Sequence, residues 1–187
     1  LAVKQGQNTV NPIRDLEQIQ IIKEYLLHQS YRDYFLFTFG INSGLRINDI
    51  LKLRVIDVRN TDYLQVKEKK TNQTRKVRMT SVLKQEIEKY TRQMADSDLL
   101  FPSRKGTGPI GRETAWRIIN NAAQVCGIEG ATGTHSMRKT FGYHFYQQTK
   151  DVATLQQIFG HSAPSVTLRY IGVTPETADQ LLEQFCL

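Results

Sequence analysis

The chain of 187 residues carries 25 Lys and Arg against 18 Asp and Glu, for a formal net charge of +7, and 40% of it is hydrophobic. That apolar share excludes a disordered chain and suits one well-buried domain. The basic balance favours a polyanionic partner (DNA, RNA or an anionic membrane surface), and no apolar run approaches the roughly 20 residues needed to span a bilayer.

Residues 1–12 are polar, end in Asn11-Pro12 and read as a linker. The chain opens without Met or a signal-peptide pattern, which reads as a fragment boundary. Asp15 and Gln18 suggest a capping box ahead of Leu16, Ile19, Ile22 and Leu26 at helical spacing. A second, aromatic helix is expected from Tyr31 to about Ile41. Gly40 and Gly44 punctuate the turn that follows, and a short third helix carries Ile47, Ile50, Leu51 and Leu53, beginning close to Arg46.

The period then changes. Val55–Arg59, Tyr63–Lys69 and Thr74–Met79 are rich in β-branched and aromatic residues and are separated by turn-prone segments. They predict a small antiparallel sheet of three strands. Helical spacing returns at Val82, Leu83, Ile87 and Tyr90. Pro102, Gly106, Gly108 and Pro109 mark residues 95–110 as a loop. A helix over Arg112–Val125 is expected to turn Trp116, Ile119 and Ala123 inward. After Gly127, Gly130 and Gly133, helices are expected near His135–Gln147, Val152–Phe159 and Ser165–Ile171, with Gly160 ending the middle one. In the tail, Thr174 offers a cap, Pro175 a first helical residue, and Ala178, Leu181, Leu182 and Phe185 an apolar face. The fold class is α+β, mostly helical.

Chemistry concentrates between Thr134 and Tyr170. His135 and Arg138, three apart on one helix, pair a proton-exchanging group with a permanent charge, which suits a phosphoryl centre; local capping or packing is the plainer reading of the histidine. His161 follows Gly160 and reads either as a helix-end cap or as a second phosphate ligand. Tyr170 is one of eight tyrosines. Tyrosine at helical spacing is commonly a packing residue, and a phenol needs nearby cations and a proton acceptor to become a nucleophile. Arg46, where a glycine turn meets a helix start, could hold a phosphate or simply face solvent. Lys67, Lys69, Lys70, Arg75, Lys76 and Arg78 make the hairpin basic. Such a charged edge could lie on a DNA backbone or merely keep strands from pairing, and one of its lysines could protonate a leaving oxygen. The two cysteines, Cys126 and Cys186, lack metal-ligand spacing and read as reduced cytosolic thiols. No metal or cofactor is expected.

Together these motifs resemble the catalytic domain of tyrosine recombinases of the phage-integrase and Xer kind, over nearly the whole chain. Gly-Leu-Arg-Ile-Asn-Asp at 44–49 is similar to the family's first-arginine motif, with Arg46 in that role and Asp49 at the usual acidic position. Lys70-Thr71 before Arg75-Lys76-Val77 resembles the hairpin lysine motif, with Lys69 as the alternative. Thr-His-Ser-Met-Arg matches the His-x-x-Arg box at His135 and Arg138. Leu-Gln-Gln-Ile-Phe-Gly-His-Ser at 155–162 resembles the Leu-Gly-His-Ser box, with Phe159 where leucine is commoner and His161 in the catalytic place. Thr-Leu-Arg-Tyr puts the nucleophile at Tyr170.

The resemblance implies a catalytic domain over 13–173, attached through 1–12 to an N-terminal DNA-clamping domain, and a C-terminal helix over 174–187 that packs on a neighbouring protomer or on its own domain. It implies a bacterial or phage-encoded cytoplasmic recombinase that cuts and rejoins double-stranded DNA through a 3′-phosphotyrosyl link and a Holliday junction, integrating or excising a mobile element. The enzyme would be a monomer when free and a tetramer on DNA. DNA relaxation of the type IB topoisomerase kind and non-catalytic DNA binding are the rival expectations.

Overall fold

The computed structural model describes residues 10–67 and 74–173. Eight α-helices, one short 3-10 helix and a two-stranded antiparallel sheet make up the regular structure of the described residues. None of these helices is long and apolar enough to cross a membrane.

Helix α1 (Leu16–Gln29) starts where Asp15 accepts a hydrogen bond from the Glu17 amide at 2.8 Å. Its buried row is Ile19, Ile22 and Leu26; Leu16, expected in that row, is exposed because the core-facing stripe begins one turn later. Helix α2 (Tyr31–Ser43) packs on α1 and is the centre of the core. Phe35, Phe37 and Phe39 are all fully buried, so this helix is apolar around most of its circumference. The Phe35 ring stacks on Tyr90 at 4.1 Å and on Phe101 at 5.7 Å. Helix α3 is the short Ile47–Ile50.

Val55–Arg59 is not a strand. Val55–Asp57 forms a 3-10 turn. The Arg54 amide donates to the Asp57 carboxylate at 2.7 Å, and the Val55 and Ile56 amides donate to the carbonyls of Asp98 and Asp96. With those two amides taken by the loop and the amides of Asp57, Val58 and Arg59 taken by the carbonyls of Arg54 and Val55, the segment has no edge to offer a neighbouring strand. Its burial also follows a turn rather than a pleat: Val55 and Val58 are inside while Ile56 is 60% exposed.

The sheet pairs β1 (Tyr63–Lys67) with β2 (Thr74–Arg78) in the register Leu64↔Val77 and Tyr63↔Arg78. Leu64 and Val77 face the core, and Tyr63, Gln65, Lys76 and Arg78 are exposed, as a period of two requires. Helix α4 (Ser81–Thr91) is capped by the Thr80 hydroxyl, which accepts from the Leu83 amide at 3.2 Å. Helix α5 (Arg112–Val125) buries Ala115, Ile119, Ala122 and Ala123. Trp116, expected inside, is 46% exposed. Its indole instead lies against Gly133, where an added Cβ would meet the ring at 2.9 Å.

Helix α6 (Thr134–Thr149) runs from the main core into a second, smaller cluster. There α7 (Val152–Phe159) and α8 (Pro164–Ile171) pack Leu155, Phe159 and Ile171 around its outer end. Gly142 on α6 permits this approach: a Cβ there would lie 2.7 Å from both Ile171 and Phe159. The expected C-terminal helix over 174–187 lies outside the described residues.

Candidate active site

Arg138 is the hub. It is 2% exposed in the middle of α6, and a permanent cation at such a depth needs acceptors. One guanidinium nitrogen donates to the Gly44 carbonyl and the other to the Phe159 carbonyl at 2.8 Å. The guanidinium also lies 4.1 Å above the Phe159 ring. One side chain thereby ties three elements together: the turn after α2, helix α6 and the end of α7. Gly44 itself has φ +62, and a Cβ on it would strike the Phe141 ring at 2.6 Å. Both conditions demand glycine. The Gly44 turn delivers Arg46, exposed and extended (φ −74, ψ 144), to the start of α3, where its carbonyl accepts from the Asp49 amide at 2.9 Å.

His161 follows the left-handed Gly160 that ends α7. Its amide donates to the Gln156 carbonyl, and its carbonyl accepts from the Gln156 side chain, both at 3.1 Å. Its Nδ1 lies 3.0 Å from the hydroxyl of the fully buried Thr167. When that hydroxyl donates, the ring proton sits on Nε2. Tyr170, on α8, is half-buried, its ring edge-on to Phe159 at 5.5 Å and to His161 at 5.2 Å. Burial holds its phenol pKa above the ordinary value, and the charges of Arg138 and Arg46 oppose part of that rise.

His135 lies in the first turn of α6. Its pKa is held below the ordinary histidine value, first by partial desolvation and then by the positive charges of Arg112, Arg138, Lys139 and Arg46. A neutral imidazole can take a proton. The arrangement is therefore a phenol against one imidazole, that of His161, under the charges of Arg138 and Arg46, which also reach a second imidazole, His135. Such a set can stabilise a pentavalent phosphorane and exchange protons with a nucleophile. Among the described residues, no group of three or more His, Cys, Asp or Glu could hold a metal ion.

The model of the phage integrase family matches residues 13–177. The chain belongs to the phage integrase family. It is a tyrosine recombinase catalytic domain. It is similar to the "Probable integrase/recombinase YoeC" of Bacillus subtilis, with 55% identity over 168 residues, covering 90% of this chain and 92% of that protein. Its fold is similar to the crystal structure of XerA recombinase, with a TM-score of 0.76 at 20% identity, covering 97% of this chain and 66% of that one. It is also similar to that of XerH bound to palindromic difH substrate in a post-cleavage complex, with a TM-score of 0.75 at 18% identity, covering 97% and 55%. The chain thus spans just under two thirds of the XerA chain and about half of the XerH chain.

Within this tyrosine recombinase domain, the charges of Arg46 and Arg138 bear on both His135 and Tyr170, and His161 lies against the Tyr170 ring. Asp49 is half-buried in α3 beside Arg46. Lys76 and Arg78 are exposed on the outer face of the β1–β2 ribbon, and Lys67 and Arg75 take their places in its register. Lys69 and Lys70 lie outside the described residues. Two cations escaped the sequence reading. Arg112, at the start of α5, bears on His135. Lys139 is 7% exposed, with its ammonium 5.2 Å over the Tyr170 ring. The run Ser136 to Thr140 is buried throughout, so reasoning from one helix face could not have selected Lys139; two adjacent cations in a helix interior were the available signal.

Proposed function

We propose that this chain performs site-specific recombination of double-stranded DNA, and that Tyr170 is its nucleophile. The observation that carries this reading is the half-buried phenol set against the His161 ring and under the charges of Arg138 and Arg46, which also bear on His135. The Tyr170 oxygen attacks a backbone phosphorus and the P–O5′ bond breaks. The phenol proton leaves toward His135, a proton arrives at O5′ from Lys70 (or Lys69), and a 3′-phosphotyrosyl link and a 5′-hydroxyl result. Arg46, Arg138 and His161 stabilise the charge on the non-bridging oxygens, and Asp49 supports Arg46. The link conserves the phosphodiester energy, so a 5′-hydroxyl from another strand can reverse the step without ATP. Two rounds pass through a Holliday junction.

Lys67, Lys69, Arg75, Lys76 and Arg78 would contact the DNA backbone. Residues 1–12 would link to an N-terminal clamp, and 174–187 would pack on a neighbour in a tetramer on DNA, the free protein being a monomer. The cellular setting would be the cytoplasm of a bacterium carrying a mobile element or phage. The test is a nicked suicide DNA bearing the element's own site, incubated with wild type and Tyr170→Phe. A covalent protein–DNA band with wild type alone is expected. No band from wild type on DNA that it binds would refute the reading for this chain.

A further inference from the structure

Lys139 is a second buried cation in the pocket, and the chemistry above gives it no task. Among the described residues its ammonium makes no hydrogen bond or ion pair, and the contact it makes is with the Tyr170 ring, 5.2 Å from the centroid. A lysine 7% exposed in a helix interior has given up most of its hydration. Such a site is retained only where the charge gains something in return. An aromatic face within about 6 Å is such a return. The Arg138 charge bears on the same tyrosine, while Phe159 and His161 meet the ring edge-on. Lys139 therefore completes an enclosure in which each neighbour restrains a different part of the phenol.

We propose that Lys139 is a positioning residue for the nucleophile: its ammonium holds the Tyr170 ring in the pocket of its own chain and favours the ionised phenol during attack. The proposal rests on Tyr170 being the nucleophile. The charged and titratable groups around the pair are Arg138 and His135 on α6, His161 after α7 and Arg46 before α3. Burial lowers the pKa of Lys139, so its charge is lost at a lower pH than that of a free lysine. Its support for the phenolate is thus lost, as pH rises, earlier than that of a free lysine would be.

The test compares wild type, Lys139→Met and Lys139→Arg as full chains. Methionine keeps the volume and removes the charge. Expected is about tenfold slower single-turnover cleavage in Lys139→Met, the scale of a partly desolvated cation–π contact. Its pH–rate profile should move to higher pH, because loss of a cation makes the phenol harder to ionise, and Lys139→Arg should restore most of the rate. A DNA substrate with sulfur at the scissile 5′ position needs no proton for its leaving group. Lys139→Met should stay slow on it; a defect erased by that substrate would make Lys139 an acid for the leaving group and overturn the proposal. Weakened DNA binding that accounts for the whole loss would also overturn it. Independently of activity, the 13Cζ resonance of labelled Tyr170 should shift in Lys139→Met and return in Lys139→Arg, and an unmoved resonance contradicts the contact. Wild type that forms no adduct refutes Tyr170 as nucleophile, and the resonance still decides whether the contact exists.

Discussion

The two apolar clusters of this domain are built differently. The main core, centred on α2, packs aromatic on aromatic: Phe35, Tyr90 and Phe101 stack, and the Tyr90 hydroxyl donates to the Leu100 carbonyl at 2.9 Å. Its ring neighbours are other rings, and burial drives the Tyr90 pKa up to about 12, leaving an inert phenol. The smaller cluster around Leu155, Phe159 and Ile171 also contains a tyrosine, but it interleaves rings with charge. Arg138 lies over Phe159 and Lys139 over Tyr170. Burial raises the Tyr170 pKa too, but there two guanidinium groups, Arg138 and Arg46, oppose it, whereas at Tyr90 the Arg32 charge acts against Asp33 and Tyr31 as well as burial. The difference teaches that a tyrosine buried among rings is a packing residue, and that one set among several fixed positive charges is a candidate nucleophile.

The comparison can be broken by mutation. The largest effect belongs to Arg138→Ala. It leaves the Gly44 and Phe159 carbonyls without their donor and removes charge from the phosphate pocket. Cleavage should fall at least about 100-fold, the scale of losing one oxyanion donor, in a suicide-substrate assay, together with a clear loss of thermal stability. Phe35→Ala should act on stability, by about 3–5 kcal/mol in denaturant unfolding, while the folded fraction still cleaves DNA. Gly142→Ala sharpens the contrast. Its new methyl would press on Phe159 and Ile171, so cleavage should drop several-fold; Gly40→Ala meets the flexible Met137 sulfur in the main core and should spare cleavage more than stability.

The smallest effect is the pH dependence of stability from His135. Its folded pKa lies below the ordinary 6.5, so the unfolded chain binds more protons between the two values. Stability from this residue should therefore fall as pH drops through about 6.5 toward the folded value. His135→Asn should flatten that part of the melting-temperature profile.

Much of the site was legible because its residues lie in short contiguous motifs whose roles depend on residue type: Gly-Leu-Arg, His-x-x-Arg, Gly-His and the terminal tyrosine. The helices were legible where one face is buried, as in α1 and α7, and where glycine ends them. The reading failed where tertiary contacts outweigh local pattern. Val55–Arg59 has strand composition, but its first two amides are claimed by the 96–98 loop and the rest by its own turn. Trp116 sits at helical spacing, yet the turn at Gly133 takes its ring outside the core. Lys139 escaped because a buried cation over a ring 31 positions later in the chain has no local signature.

The central claim is that Tyr170, and no other phenol, becomes joined to DNA. The most direct measurement is to trap the adduct on suicide DNA, digest the protein, and locate the nucleotide-bearing peptide by mass spectrometry. The account predicts the modification on Tyr170. A modification on another tyrosine, such as Tyr143 or Tyr146 on α6, would contradict it.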